Sequence, residues 1–341
     1  MAQQQPAEAA TATATADAET AEERELRERE EAVDHMAAVS ADASEVELTR
    51  QRIRRIRGLE KMRRLRRLAL RWNILRRIEG LDCVASTLVE LDLYDNQLTA
   101  VEGLQALGRL RKLDLSYNRI ARLDRDQLAP PLSRSLTQLY LVHNKLTKVE
   151  GLDELVNLEL LELGDNAISR IEHLDALVNL KTLHLSANRI RKIENLDRLV
   201  NLRTLGLAGN YIRSLEGLDS LTELRELYMS ENGISAIRGL DQLKELRVVD
   251  LCENRIATIE NVGHMTHLTD FWMRNNRLSE WESVAASGLP ALTELTCVWL
   301  NGPGNGIAAD DVAYRRRVML ELPQVTLIDG LPCRVQPSPV H

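Results

Sequence analysis

The sequence predicts an α/β solenoid. Short parallel strands stack into a concave sheet, 3₁₀ turns or short helices line the convex side, and a helix closes the C-terminal end. Three observations carry this. An asparagine recurs ten times, at Asn73, Asn96, Asn118, Asn144, Asn166, Asn188, Asn210, Asn232, Asn254 and Asn276, with a constant 22-residue step from Asn144 onward. Leucine and isoleucine recur in register with it. Finally, 44% of the 341 residues are hydrophobic but only 3% are aromatic, which suits a narrow core repeated coil after coil better than one large globular core.

The frame is plain in two neighbouring units. Leu180, Leu183, Leu185, Asn188, Ile190, Ile193, Leu196 and Leu199 are followed by Leu202, Leu205, Leu207, Asn210, Ile212, Leu215, Leu218 and Leu221. This is L-x-x-L-x-L-x-x-N-x-[IL]-x-x-[IL]-x-x-L-x-x-L, a leucine-rich repeat, and it predicts a horseshoe-type solenoid. The L-x-L pair has period two, so it marks a short strand with both leucines pointing inward. Past the strand the chain turns inside the coil, where backbone groups lack sheet partners. A carboxamide carries both donors and an acceptor, so a stacked asparagine ladder satisfies them. The later Ile and Leu, three apart, fit a 3₁₀ or short helical segment that eclipses at i and i+3.

Both ends of a solenoid need cover. At the front, Leu48, Ile53, Ile56, Leu59 and Met62 form a degenerate unit with Gln51 in the asparagine place. At the back, Leu292, Leu295 and Leu300 open a last unit in which Pro303 stands where asparagine would fall. The run Asp310 to Pro323 has acids first, arginines later and a terminal proline, so it predicts a cap helix laying Val312, Val318, Met319 and Leu322 over the last coil. The domain division is therefore 1–45, a disordered acidic tail with helical character from Glu22 to Asp34; 46–300, the solenoid; and 301–341, the cap and tail.

Charge and composition exclude several classes. The four cysteines lie far apart without a C-x-x-C pair, so no cysteine-built zinc site is expected and the thiols are expected to be reduced. There is no long apolar run for a membrane span, and Met1 to Ala16 lacks the features of a secretory signal. The net charge of −7 argues against general nucleic-acid binding. Between Arg50 and Arg77 thirteen Lys or Arg accompany one acid, Glu60, but core residues thread through them, so they read as a solvated face.

Function must lie where the repeat does not dictate the residue. The position between the two core leucines faces the concave solvent side and reads Ala69, Asp92, Asp114, Tyr140, Glu162, His184, Gly206, Tyr228, Asp250, Trp272 and Trp299. Four of the chain's eleven Phe, Trp and Tyr stand in that row. With Glu90, Glu226 and Asp270 beside it, the face is acidic with apolar islands, suited to a folded partner that surrounds apolar residues with basic ones. His184 and Glu162 resemble an acid–base pair, but no nucleophile, phosphate loop or oxyanion hole accompanies them, and no cofactor or metal is expected; the chain does not read as an enzyme.

Leu91-Asp92-Leu93-Tyr94-Asp95-Asn96-Gln97, Phe271-Trp272-Met273 before Asn275-Asn276, and Tyr314 to Leu320 with Leu322-Pro323 and Ile328-Asp329 resemble the leucine-rich-repeat regulatory subunits of protein phosphatase 1, the regulatory subunit 7 family, over about residues 46 to 330. The resemblance implies a non-catalytic protein of nucleus and cytoplasm, monomeric alone, that holds the phosphatase catalytic subunit on its concave face, in company with other phosphatase regulatory subunits and with neither nucleic acid nor membrane. Carried onto this sequence, the implied contacts are Asp114, Tyr140, Glu162, His184, Asp250, Asp270, Trp272 and Trp299, and the residue pattern itself adds Tyr228. Asp270 is shorter than the family's glutamate, His184 replaces an aromatic hydrocarbon, and the glycine-rich Asn301 to Ile307 departs from the family pattern. The alternative is a repeat scaffold of cilia or cytoskeleton with another protein partner, and a further one is RNA binding through Arg50 to Arg77.

Overall fold

A computed structural model describes residues 36–309 and 314–333. They form one sheet of 14 strands whose spatial order is the chain order. The strands are β1 (Glu45–Glu47), β2 (Arg67–Ala69), β3 (Glu90–Asp92), β4 (Lys112–Asp114), β5 (Gln138–Tyr140), β6 (Leu160–Glu162), β7 (Thr182–His184), β8 (Thr204–Gly206), β9 (Glu226–Tyr228), β10 (Val248–Asp250), β11 (Asp270–Trp272), β12 (Cys297–Trp299), β13 (Leu327–Ile328) and β14 (Leu331–Pro332). All neighbours pair in parallel except β13 and β14, a closing hairpin. Each coil makes one turn of a solenoid and contributes one short strand, as the period requires.

Each central leucine points in and its neighbours are only half-covered. In β7, Leu183 is buried between Thr182 and His184, and Leu185 is buried just beyond. Leucine and isoleucine from successive coils merge into a single core that runs from Met36 to Ile328.

The asparagine ladder is made as the chemistry demands. Asn188 Oδ1 accepts the Ile168 amide of the preceding coil at 2.9 Å, while its Nδ2 donates to Leu163 O at 2.9 Å and to Leu185 O at 3.0 Å. One carboxamide thus stitches two coils and leaves no interior amide bare. The residue before each asparagine adopts the left-handed region: Trp72, Asp95, Tyr117, His143, Asp165, Ala187, Glu231, Glu253 and Asn275 have φ between 52° and 57°. That conformation reverses the chain sharply and aims the carboxamide inward.

The convex side is plainer than its periodicity suggests. In the regular coils it consists of successive single turns, such as Leu155 N to Leu152 O and Leu158 N to Leu155 O, both 2.9 Å, rather than continuous helix. The hydrogen bonds are of the 3₁₀ type, i to i+3, and the chain enters the next strand after two such turns. Helices occur where the repeat is stretched. The insertion before β5 holds a 3₁₀ turn, Arg125–Leu128, and α1 (Leu132–Ser135), and the one before β12 holds α2 (Glu282–Ala285) and a 3₁₀ turn, Leu289–Ala291.

The ends differ from expectation in three respects. Gln51 does not serve as a ladder residue; its side chain is exposed and donates to Thr49 O, so Asn73 is the first rung and accepts from the Gln51 and Ile53 amides. At the other end Pro303 does not end the ladder. Asn305, two residues on, fills the place: fully buried, it accepts the Asn276 and Leu278 amides at 3.0 and 3.1 Å and donates to Met273 O and Leu300 O. Gly302, at φ 106°, lets the longer loop bring it there. The cap comprises α3 (Gly306–Ala309) and α4 (Tyr314–Glu321); residues 310–313, Val312 among them, lie outside the described residues. Val318 and Leu322 are buried in the last coil and Met319 packs beside them. Arg315 binds the hairpin by donating to Ile328 O and Leu331 O.

The acidic segment Glu22–Asp34 lies outside the described residues. Met36 is buried in the first coil, so part of the segment placed with the tail covers the solenoid's front. Several residues of the basic run are met by acids of neighbouring coils: Arg55 by Glu79, Arg67 by Glu45 and Glu90, Arg71 by Asp92 and Arg77 by Glu102. No helix among the described residues is long and apolar enough to cross a membrane.

Candidate functional site

Because every coil pairs in the same register, the third strand residues form one continuous row. Asp92, Asp114, Tyr140, Glu162 and His184 lie side by side, followed by Gly206, Tyr228, Asp250, Trp272 and Trp299. All nine candidate residues are on this sheet face: Asp114, Tyr140, Glu162, His184, Tyr228, Asp250, Trp272 and Trp299 in the row, and Asp270 at the start of β11. Ala69 and Asp92, expected to face solvent, are instead buried. Asp92 lies under Arg71, whose Nη2 is 2.5 Å from Oδ2.

The aspartates do local work with one oxygen. Asp114 Oδ1 accepts the Ser116 amide and Asp250 Oδ1 the Cys252 amide, each at 2.9 Å. These contacts, two residues on, start the turn toward the asparagine and are one structural reason for aspartate at the end of a strand. The other oxygen is not used in this contact. Longer acids are held differently: Glu226 accepts from Thr204 at 3.2 Å and from Tyr228 at 3.3 Å.

Packing side chains at strand spacing on a half-covered sheet alters their ionisation. Glu162 is pushed up to about 7, first by burial and then by the charge of Asp114. Burial also raises Asp114. The His184 imidazole, likewise desolvated, is lowered. His184 Nε2 stands 3.6 Å from Glu162 Oε1, beyond hydrogen-bond length. Since burial disfavours the charged form of each, this pair is a weak contact in the free protein. His184 is able to lean over the next strand because Gly206 has no side chain there; a Cβ on Gly206 would collide with its Nδ1.

At the C-terminal end the ring centroids of Trp272 and Trp299 are 6.1 Å apart. They wall a groove of about 290 Å³ lined by Ser230, Glu231, Asp250, Cys252, Glu253, Trp272, Arg274 and Trp299. Glu231 and Glu253 were not among the sequence candidates. They are the left-handed residues before two ladder asparagines, a position that carries no core constraint and whose side-chain direction only the turn reveals. Two indoles beside three carboxylates form an apolar slot with a negative rim, which chemically suits a basic side chain. The four cysteines are unpaired, and the described residues contain no cluster of His, Cys, Asp and Glu able to hold a metal.

An uninterrupted parallel-strand solenoid with such a face is a binding scaffold of the leucine-rich repeat class. The chain is a leucine-rich repeat solenoid, a scaffold suited to protein–protein interaction. The family model "Leucine Rich repeats (2 copies)" matches five overlapping segments between residues 134 and 264. Among solved structures the chain is similar to an internalin of Listeria monocytogenes (22% identity, TM-score 0.63, 84% of this chain and 86% of that one). It is similar also to the functional domain of InlJ from Listeria monocytogenes (21%, 0.65, covering 84% and 62%) and to a leucine-rich repeat protein of Leptospira interrogans (23%, 0.60, covering 79% and 73%). At these identities the likeness is one of fold. No curated protein matches the chain.

Proposed function

We propose that this protein is a non-catalytic regulatory subunit that captures the catalytic subunit of protein phosphatase 1 on its sheet face, in nucleus and cytoplasm. The observation that carries the reading is the continuous row from Asp114 to Trp299, in which three acids and four large aromatics stand with His184 and Gly206 on one rigid sheet face. Sequence resemblance in the Tyr314 to Leu320 block supports the choice of partner. Half-desolvated carboxylates such as Glu162 favour a partner that brings cations, because a cation restores the ionisation that burial opposes. Capture on such a surface needs no covalent step.

Calorimetric titration of the full chain with a protein phosphatase 1 catalytic subunit tests this. Trp272→Ala should weaken binding by about 2 kcal/mol or more, the level of an aromatic anchor, with the fold kept because the indole flanks rather than fills the core. Absence of binding by the intact protein would refute the partner and direct attention to a cytoskeletal one.

A further inference from the structure

The edge of the solenoid that follows the asparagine ladder carries a strip without acids. Gln51 and the ten recurring asparagines give eleven reference positions, and the residues one and three places after them number 22. Ten of these are Lys or Arg, six at the first place and four at the second, and none is Asp or Glu in a chain with 51 acids. Both places flank a core residue; Arg119, for example, is exposed beside buried Ile120. The strip is densest at the front, where Arg50, Arg52, Arg54, Arg55 and Arg57 fall within eight residues.

The first coil also reverses a charge that the next coils keep. On the convex side an arginine reaches the acid of the following coil: Arg55 to Glu79 at 3.6 Å, Arg77 to Glu102 at 3.9 Å and Arg170 to Glu194 at 3.3 Å. That acid stands six places after the reference position, where the first coil has Arg57. These later coils thus show an acid to the coil before them, and the first coil shows a cation to whatever precedes it. Residues 36–66 contain four acids. Asp42 faces Arg64 at 3.9 Å, Glu45 faces Arg67 at 3.6 Å and Glu47 accepts from Thr49 at 3.3 Å, so Glu60 is the one acid inside the basic run.

The segment before this front is acidic. Glu22 to Asp34 holds seven acids and three arginines, and it joins the solenoid through Met36, which is 2% exposed in the first coil's core. Single exposed ion pairs contribute little. A series of carboxylates on one short tether is different, because the tether holds it at the front at about millimolar effective concentration. We propose that Glu22–Asp34 is the strip's own ligand: its carboxylates lie along Arg50 to Arg57 and keep that front from external polyanions. An acidic partner then reaches the basic front only by displacing the segment. This surface is distinct from the strand row and does not depend on the partner proposed for that row.

The test is a charge cycle on the full chain, read by affinity for heparin as the polyanion probe. Changing Glu22, Glu23, Glu25, Glu28, Glu30 and Glu31 together to Gln should raise the affinity about tenfold or more. In a chain that also carries Arg54→Glu and Arg57→Glu, the same changes should raise it less than about threefold, because the segment has lost its seat. An equal gain in both backgrounds would reflect net charge alone and would overturn the proposal. If circular dichroism shows the reversed chain unfolded, Arg54→Lys with Arg57→Lys keeps the charge and supplies amines for carbodiimide coupling. Crosslinks within one molecule should then join Glu22–Asp34 to those two positions or to Lys61. Their absence, or crosslinks confined to distant lysines such as Lys145 and Lys192, would overturn the proposal equally.

Discussion

Asn305→Ala tests how the solenoid ends. The side chain is fully buried, and its removal strips hydrogen bonds from the Asn276 and Leu278 amides and from Met273 O and Leu300 O. A sealed main-chain group without a partner costs about 1–3 kcal/mol, and carbonyls recover more readily than amides, so the two amides alone set a loss of about 2–6 kcal/mol. That is a large share of a typical total of about 5–15 kcal/mol. In a stacked array the loss falls on the end first, because each coil is held only by its neighbours. Urea unfolding followed by tryptophan emission should therefore separate an early transition, seen by Trp272, Trp281 and Trp299, from a later one that includes Trp72. Hydrogen exchange should accelerate from β12 onward and not at β2. Gln51→Ala, at the equivalent sequence position of the first coil, should change stability by less than about 0.5 kcal/mol because its side chain is exposed. If Asn305→Ala were equally silent, the ladder's role at this end would be refuted.

Other outcomes follow from the row. Glu162 ionises at about 7 in the folded chain and near its ordinary value when unfolded, so the folded state holds an extra proton between those limits. Its contribution makes stability fall as pH rises from about 4.5 to 7, and Glu162→Gln should flatten that slope in a series of urea titrations. The same group predicts that a cationic partner expels a proton, so the binding enthalpy at pH 7 should vary with the buffer's ionisation enthalpy in the parent and less in Glu162→Gln. Gly206→Ala should displace the His184 ring and cost about 1–3 kcal/mol by overpacking, read from the melting curve and the histidine resonances.

Legibility in the sequence depended on whether a residue's surroundings were supplied by its own repeat. Leu183 and Asn188 meet the same neighbours as Leu205 and Asn210, so a one-dimensional pattern specifies them, and the strand row from Asp114 to Trp299 follows by counting. Counting fails where a loop changes length: Pro303 holds the expected number, but the glycine-rich insertion carries Asn305 into the rung. It fails too at the aspartates, whose composition suggests a partner surface while their geometry shows that one oxygen starts a turn.

The sequence by itself determined the solenoid, its period and the identity of the face that varies, because a repeated coil makes local pattern and tertiary environment the same information. Only the tertiary structure decided which side chains meet across coils. Trp72, Tyr94, Tyr117 and His143 follow one another at steps of 22 to 26 residues along the chain, and it is the turn before each asparagine, combined with strand register, that brings successive rings to within 6 Å. The ionisation of Glu162 is likewise a property of the stack, since it arises from burial beside Asp114, two strands away.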